Sequence, residues 1–253
     1  IRSLKSCMKT PRLLYIKEIM TKLSSLSIFV PTYNEEANIS LIIEDVLKYV
    51  PSLANKWELI VVNDGSSDQT ARIVRTYSER YQEIRLINHT KNRGYGAAVK
   101  TGLKASKYNW IFFTDSDRQF RFDELSSFIA HRDLGDYVIG YRKKRRDPLI
   151  RLIIAQGFLR VWNYLLFGLT VKDVDCAYKL IPKKCLKNIT LKTESAITVT
   201  ELLYKLTLQG YRYVQVPVTH YSRPYGRQTG NHPSVMYKAL RESVALWQSS
   251  KTR

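Results

Sequence analysis

The chain has 253 residues, 44% apolar and 25% charged, which is enough for one large α/β domain or two small ones and too apolar for a disordered chain. Lys and Arg number 41 against 22 acidic residues, and the resulting charge of +19 favours anionic partners such as nucleotides, lipid phosphates, acidic membrane surfaces or nucleic acid. Cys7, Cys176 and Cys185 are an odd set without C-x-x-C spacing, which speaks against a disulfide framework or a zinc site and fits a reducing, cytosolic setting.

Residues 1–25 begin at Ile1 and carry six basic side chains against one acidic, so they are expected to be a leader or upstream extension outside the fold. From Leu26 the pattern alternates. Ser27–Val30 reads as a strand, Glu36–Tyr49 as a helix with apolar residues at Ile39, Ile42, Ile43, Val46 and Leu47, and Glu58–Val62 as a second strand. Asp68–Tyr81 is predicted helical, Ile84–Ile87 extended, Tyr95–Ala105 helical, Trp110–Thr114 extended, Asp123–His131 helical and Tyr137–Gly140 extended. Such alternation predicts a mostly parallel sheet covered by helices on both faces, in a single domain, with ligands beyond the carboxyl ends of the strands.

After Gly140 come a basic loop, an amphipathic helix over Leu149–Phe167, an irregular segment Asp173–Lys179, a helix over Glu194–Gln209 and a strand over Tyr211–Val218. The run Leu149–Val171 is interrupted by Arg151 and Arg160, so no stretch supplies the roughly 20 uncharged apolar residues of a membrane span.

Four polar clusters fall at strand carboxyl ends: Tyr33-Asn34-Glu35, Asn63-Asp64-Gly65, Asn92-Arg93-Gly94 and Asp115-Ser116-Asp117. The last is the most informative. Side chains two apart on a strand share a face, so Asp115 and Asp117 point into one space. Two like charges that close are tolerated when a cation lies between them, and Mg²⁺ or Mn²⁺ held by two carboxylates completes its shell with water and phosphate oxygens. The plainer reading is that the two aspartates are turn formers closing the strand. Gln119, two residues on, joins the same metal if the strand direction persists, and otherwise is a solvated loop residue.

Asp64 is placed to accept hydrogen bonds from a ribose hydroxyl or a base N–H, while Ser67 or Asp68 caps the next helix. Gly94-Tyr95-Gly96 follows the third strand and lacks a final glycine, which argues against a dinucleotide fingerprint and favours a close backbone approach. The five consecutive basic residues from Arg142 to Arg146 either grip phosphate, rest on anionic lipid, or form a solvated loop. The helix beyond them either lies in a membrane interface or packs on the sheet. His89, His131, His220 and His232 show neither metal-ligand spacing nor a Ser-His-Asp arrangement, and none is assigned a role.

Taken together, Ile28-Phe-Val-Pro-Thr-Tyr-Asn-Glu-Glu36, Val61-Val-Asn-Asp-Gly-Ser-Ser-Asp-Gln-Thr70, Asn92-Arg-Gly-Tyr-Gly-Ala-Ala98 and Thr114-Asp-Ser-Asp117 resemble the inverting glycosyltransferases of family 2, over Leu26 to about Tyr225. Within that family Asp115-Ser-Asp-Arg-Gln119, Gly140-Tyr-Arg142 and Asp173-Val-Asp-Cys-Ala-Tyr-Lys179 are similar to the polyprenyl- and dolichyl-phosphate sugar synthases. The resemblance implies a GT-A fold over residues 26–253, with a nucleotide-sugar half at 26–117 and an acceptor half at 118–253. It implies a UDP- or GDP-sugar on Pro31, Tyr33, Glu35, Asp64, Arg93 and Asp115, and Mg²⁺ or Mn²⁺ on Asp115, Asp117 and Gln119. It further implies an acceptor phosphate on Arg142, Arg145, Arg146 and Arg151, at the cytosolic face of a membrane.

The segment Tyr221–Gln228 resembles the family's Arg-containing segment, with Gln228 where Ser is usual, and implies donor phosphate contacts from Arg223 and Arg227. A Q-x-x-R-W signature is absent, which argues against processive polysaccharide synthesis. Many relatives carry carboxyl-terminal membrane helices; the expectation here is a soluble form, a shortened form, or one part of a complex with a membrane-spanning subunit. A phosphate acceptor needs orientation more than a base; a hydroxyl acceptor on a glycan needs one, for which Asp173 or Asp175 is the candidate, unless each is a structural carboxylate paired to Lys172 or Lys179. Two readings compete: a catalytically silent nucleotide-sugar binder, and a nucleic-acid-binding protein, which leaves the four strand-end clusters unexplained. No nucleic-acid partner is therefore expected.

Overall fold

The computed structural model describes residues 22–143, 159–226 and 233–251. Near-continuous apolar runs make strands that are buried on both faces, as a parallel sheet between helices requires. β1 (Leu26–Thr32) is buried along its whole length, and β2 (Trp57–Asn63) and β4 (Trp110–Phe113) nearly so. The described elements follow in the order β1, α1 (Ile39–Tyr49), β2, α2 (Thr70–Ser78), β3 (Ile84–Asn88), α3 (Tyr95–Ala105), β4 and α4 (Leu125–Ile129). Then come β5 (Tyr137–Arg142), α5 (Leu159–Phe167), β6 (Lys179–Pro182), α6 (Ile197–Leu208), β7 (Tyr213–Val218) and α7 (Pro233–Lys251).

The seven strands form one sheet in the order β3-β2-β1-β4-β6-β5-β7. β1 pairs in parallel with β2 and β4, β2 with β3, and β5 with β7. β6 runs antiparallel to both β4 and β5. The chain moves outward from β1 through β2 to β3 and then returns to the other side of β1 as β4. That reversal opens a crevice at the carboxyl ends of β1 and β4, the place where open α/β sheets bind ligands.

Alternate residues of the same strands feed two cores. On one face Ile28, Val30, Val61 and Phe112 pack with Ile42 and Val46 of α1, Val74 of α2 and Phe128 of α4. On the other, Phe29, Ile60, Val62 and Phe113 pack with Val99 of α3, Leu202 and Leu206 of α6 and Leu246 of α7. Phe29 stacks on Phe113 at 5.0 Å between ring centres, and α3 comes so close that a Cβ on Gly102 would lie 2.2 Å from the Phe29 ring.

Two elements differ from the expectation. Asp173–Lys179 ends on β6, whose four residues take strand form between two existing neighbours and not from an alternating pattern of their own. The carboxyl-terminal helix α7 was not expected. Among the described residues, no helix is long and apolar enough to cross a membrane.

Candidate active site

Ser116 supplies the local reason why Asp115 and Asp117 share a space. Its buried hydroxyl donates to the Pro31 carbonyl at 2.9 Å, tying the loop after β4 to the end of β1 at the residue between the two carboxylates. Burial and the neighbouring Asp117 push the Asp115 carboxyl up to about 7, against the pull of the Tyr95 hydroxyl and the charges of Arg142 and Lys179. Asp117 is raised as well, chiefly by burial, while the Gln119 N–H and Arg223 offset part of the shift.

The Arg223 guanidinium bridges the acidic residues from the far end of the chain. It hydrogen-bonds Glu35 and lies 3.7 Å from Asp117 Oδ2. Its Nε donates to the Tyr225 carbonyl at 2.7 Å, and Asn38 Nδ2 donates to the same carbonyl at 3.3 Å, so residues 223–225 are strapped to the start of α1. Glu35 is itself raised by burial, with Asn38 and Arg223 opposing.

β4 stops at Phe113 and Arg118 turns the chain with a φ of +60°, so the strand direction does not persist to Gln119. The Gln119 N–H donates to Asp117 Oδ1 at 3.0 Å, and its side-chain amide donates to the Tyr221 carbonyl at 3.3 Å. The turn after β1 is zipped to the turn after β2. Asn34, at a φ of +53°, accepts from the Ser67 N–H at 2.9 Å, and the Glu36 N–H donates to Asp68 at 3.0 Å. Tyr33 stays exposed at the rim.

Asp64 lies deeper than a surface ligand would. Its Oδ1 is 2.6 Å from His89 Nδ1 and accepts the Arg93 N–H at 3.0 Å, and its Oδ2 accepts the Gly94 N–H at 2.8 Å. The Arg93 side chain turns to Glu194 at 3.1 Å. Gly96 makes the close approach expected of the glycine pair: a Cβ there would meet the Ser195 carbonyl at 2.3 Å.

The second half of the site starts at the end of β5. Arg142 grips Asp173 with two hydrogen bonds, at 2.6 and 2.8 Å, and burial opposed by that pairing leaves its pKa raised. Lys172 lies over the Tyr141 ring, and the buried Lys179 ammonium donates to the carbonyls of Val174 and Cys176. Tyr141, Arg142, Arg160, Lys172 and Asp173 line a cavity of about 230 Å³. Asp175 is exposed beside it, and its charge is felt by Tyr95, Arg142 and Lys179. Arg145, Arg146, Arg151 and Arg227 lie outside the described residues.

The structure thus brings Glu35, Asp115, Asp117 and Arg223 together, sets Arg142 and Asp173 beside them, and holds Asp64 one layer back. Arg160, Lys172, Tyr95 and His89 were missed as site residues, because each is brought in by another element; Tyr95 alone stands in a motif, and that motif was read for its glycines. Among the described residues no three His, Cys, Asp or Glu side chains gather to hold a metal. A pair of carboxylates, one of them raised by burial and by its neighbour's charge, suits a hard dication that takes its remaining ligands from water and phosphate.

A seven-stranded sheet with an acidic pair at its strand-order reversal is a fold of the GT-A type. Residues 27–180 match the model of glycosyl transferase family 2, and the chain belongs to that family. It is 31% identical over 204 residues to a dolichyl-phosphate beta-glucosyltransferase of Dictyostelium discoideum, covering 71% of this chain and 61% of that protein. It is 29% identical over 208 residues to a dodecaprenyl-phosphate galacturonate synthase of Rhizobium johnstonii, covering 79% and 60%. The chain thus spans about three fifths of the length of these curated relatives.

Among solved structures, it is similar to glucosyl-3-phosphoglycerate synthase of Mycobacterium tuberculosis in complex with Mn²⁺, UDP and glucosyl-3-phosphoglycerate. There the TM-score is 0.68 at 17% identity, covering 89% of this chain and 80% of the other. It is also similar to a mannosyltransferase of Pyrobaculum calidifontis in complex with GDP-Man and Mn²⁺, with a TM-score of 0.64 at 18% identity, covering 89% and 64%. These likenesses establish the fold.

Proposed function

We propose that the protein moves a sugar from a nucleotide-sugar donor to a polyprenyl phosphate at the cytosolic face of a membrane, with inversion and with the help of a divalent cation. The observation that carries this reading is the juxtaposition of the raised Asp115–Asp117 pair with the basic cavity of Arg142, Arg160 and Lys172. One side suits the diphosphate of a donor, the other a phosphate acceptor. The names of the curated relatives, which act on dolichyl or dodecaprenyl phosphate, and the Mn²⁺ in the complexes of similar structures, support it.

In this mechanism Asp115 and Asp117 would hold Mg²⁺ or Mn²⁺, which when bound supplies positive charge to a departing nucleoside diphosphate. Pro31, Tyr33, Glu35 and Asp64 shape the donor side, and Arg223 exchanges Glu35 and Asp117 for donor phosphate oxygens. Arg142, with Arg160 and Lys172, orients the acceptor phosphate, whose oxygen is already anionic and needs no base. A hydroxyl acceptor would leave Asp175 as the base, since Asp173 is engaged by Arg142. Arg160 opens α5, whose outward side chains Val161, Tyr164 and Leu165 are 56%, 57% and 70% exposed, an apolar strip beside the phosphate cavity that fits a membrane surface. The free thiols of Cys176 and Cys185 accord with a reducing compartment.

The test is a panel of UDP- and GDP-sugars with Mn²⁺ and a polyprenyl phosphate, comparing the parent with Asp117→Asn. The parent is expected to glycosylate the lipid phosphate and the variant to be slower by about 10²-fold or more. Equal rates would remove the metal assignment, and transfer to hydroxyl acceptors alone would remove the lipid assignment.

A further inference from the structure

We propose that His89 is a positioning residue for the nucleotide donor: it fixes Asp64, and Asp64 fixes the 89–94 loop and the start of α3. The inference rests on the transferase reading above and adds a residue that no motif marks. Its starting point is the way Asp64 is held. The Asp64 side chain is 5% exposed and already takes three hydrogen bonds, from His89, Arg93 N–H and Gly94 N–H. Three of a carboxylate's roughly four acceptor positions are thus fixed, which sets the Asp64 side chain in one orientation and ties the 89–94 loop to it.

His89 is built in from both sides. Its side chain is 6% exposed, with Nδ1 2.6 Å from Asp64 and Nε2 2.9 Å from the Thr101 hydroxyl on α3. The carboxylate calls for a proton on Nδ1, and Nε2 is joined to the Thr101 hydroxyl. Both ring nitrogens are thereby spent inside the protein, which assigns His89 to positioning and not to proton transfer with a substrate. The backbone agrees: the His89 N–H donates to the Asn63 carbonyl at 2.9 Å, and Gly65, at a φ of +71°, presses on the loop where a Cβ would be 2.4 Å from Lys91 C. Gly94 spends its N–H on Asp64 directly before α3, and α3 begins with Tyr95, whose hydroxyl meets Asp115. One line of contacts therefore runs from Thr101 through His89, Asp64 and Gly94 to the acidic pair.

The experiment measures UDP and GDP affinity by calorimetry in Mn²⁺, with steady-state kinetics, for the parent, His89→Leu, His89→Asn and Thr101→Val. Long-range ¹⁵N–¹H spectra of histidine-labelled parent are expected to show the proton of His89 on Nδ1. His89→Leu should weaken nucleotide binding and raise donor KM by about tenfold, with kcat at saturating donor nearly unchanged. His89→Asn keeps an N–H toward Asp64 and should recover most of the loss; Thr101→Val should cost about threefold. Should the leucine variant fail to fold, the asparagine and Thr101→Val variants and the spectrum decide. Parent-like binding by both His89→Leu and Thr101→Val, an asparagine variant as weak as leucine, or an Nδ1 without a proton would overturn the inference. A parent that binds neither nucleotide would instead overturn the transferase reading on which it stands.

Discussion

The Arg142 guanidinium and the Asp173 carboxylate form a two-pronged ion pair, Nε to Oδ2 at 2.6 Å and Nη2 to Oδ1 at 2.8 Å, with both side chains largely buried. The Nε–Nη2 edge of the guanidinium is thus filled by an internal carboxylate of matching geometry, which fixes the plane of the side chain that would orient an acceptor phosphate. Lysine cannot reproduce that fork. Arg142→Lys is expected to raise the KM for polyprenyl phosphate by about tenfold or more while donor KM stays near the parent value, read by initial rates with each substrate varied in turn.

Asp115 gives a pH dependence whose sign follows from its environment. An ordinary aspartate titrates near 3.8, whereas Asp115 in the fold holds its proton to about 7. The folded state therefore keeps a proton that the unfolded chain releases, and the stability linked to it is lost as pH rises between those values. Metal-free Asp115→Asn should gain in Tm over the parent on going from about pH 5 to about pH 8, and Mn²⁺ should shrink that gain by stabilising the ionised parent. A difference in Tm that does not change with pH would count against the assignment.

Arg223 neutralises carboxylates that burial makes costly. Replacing it by Gln leaves Glu35 and Asp117 facing each other without their cation. Arg223→Gln is expected to lower the metal-free Tm, to lose less when Mn²⁺ is present, and to raise donor KM; differential scanning calorimetry with and without Mn²⁺ checks the first two.

Gly96 is where α3 meets the start of α6. A methyl group there would stand 2.0 Å from Thr198 Oγ1 and 2.3 Å from the Ser195 carbonyl, and the backbone atom cannot step aside cheaply. Gly96→Ala should destabilise the protein by about 1–3 kcal/mol in urea unfolding, and Gly96→Ala with Thr198→Ser should recover little of it because Ser195 still blocks the space.

The order of strands and helices from β1 to β5 was legible because the strands stand out as short continuous apolar runs and the helices carry a period of 3.6. The Asp115–Asp117 pair was legible because both residues sit in one short segment just past an apolar run, although β4 stops at Phe113 and the strand period used to pair them does not reach either. β6 was not, because four residues beginning with a buried lysine carry no period, and its strand form comes from β4 and β5 on either side. Gln119 depended on a strand continuing, but β4 stops at Phe113 and the chain turns left-handed at Arg118.

By itself the sequence determined the α/β alternation, the strand-end clusters and the family motifs, since local spacing dictates which face of an element is buried and what stands at its end. Only the tertiary structure decided which charges meet. Arg223 reaches Glu35 across 188 residues, Arg142 finds Asp173 across 31, and His89 links Asp64 to Thr101 across 25 and 12. Those partnerships follow from how strand ends and helix starts pack around one crevice, where a buried charge must find a counter-charge or a hydrogen bond, and no periodicity along the chain records that choice.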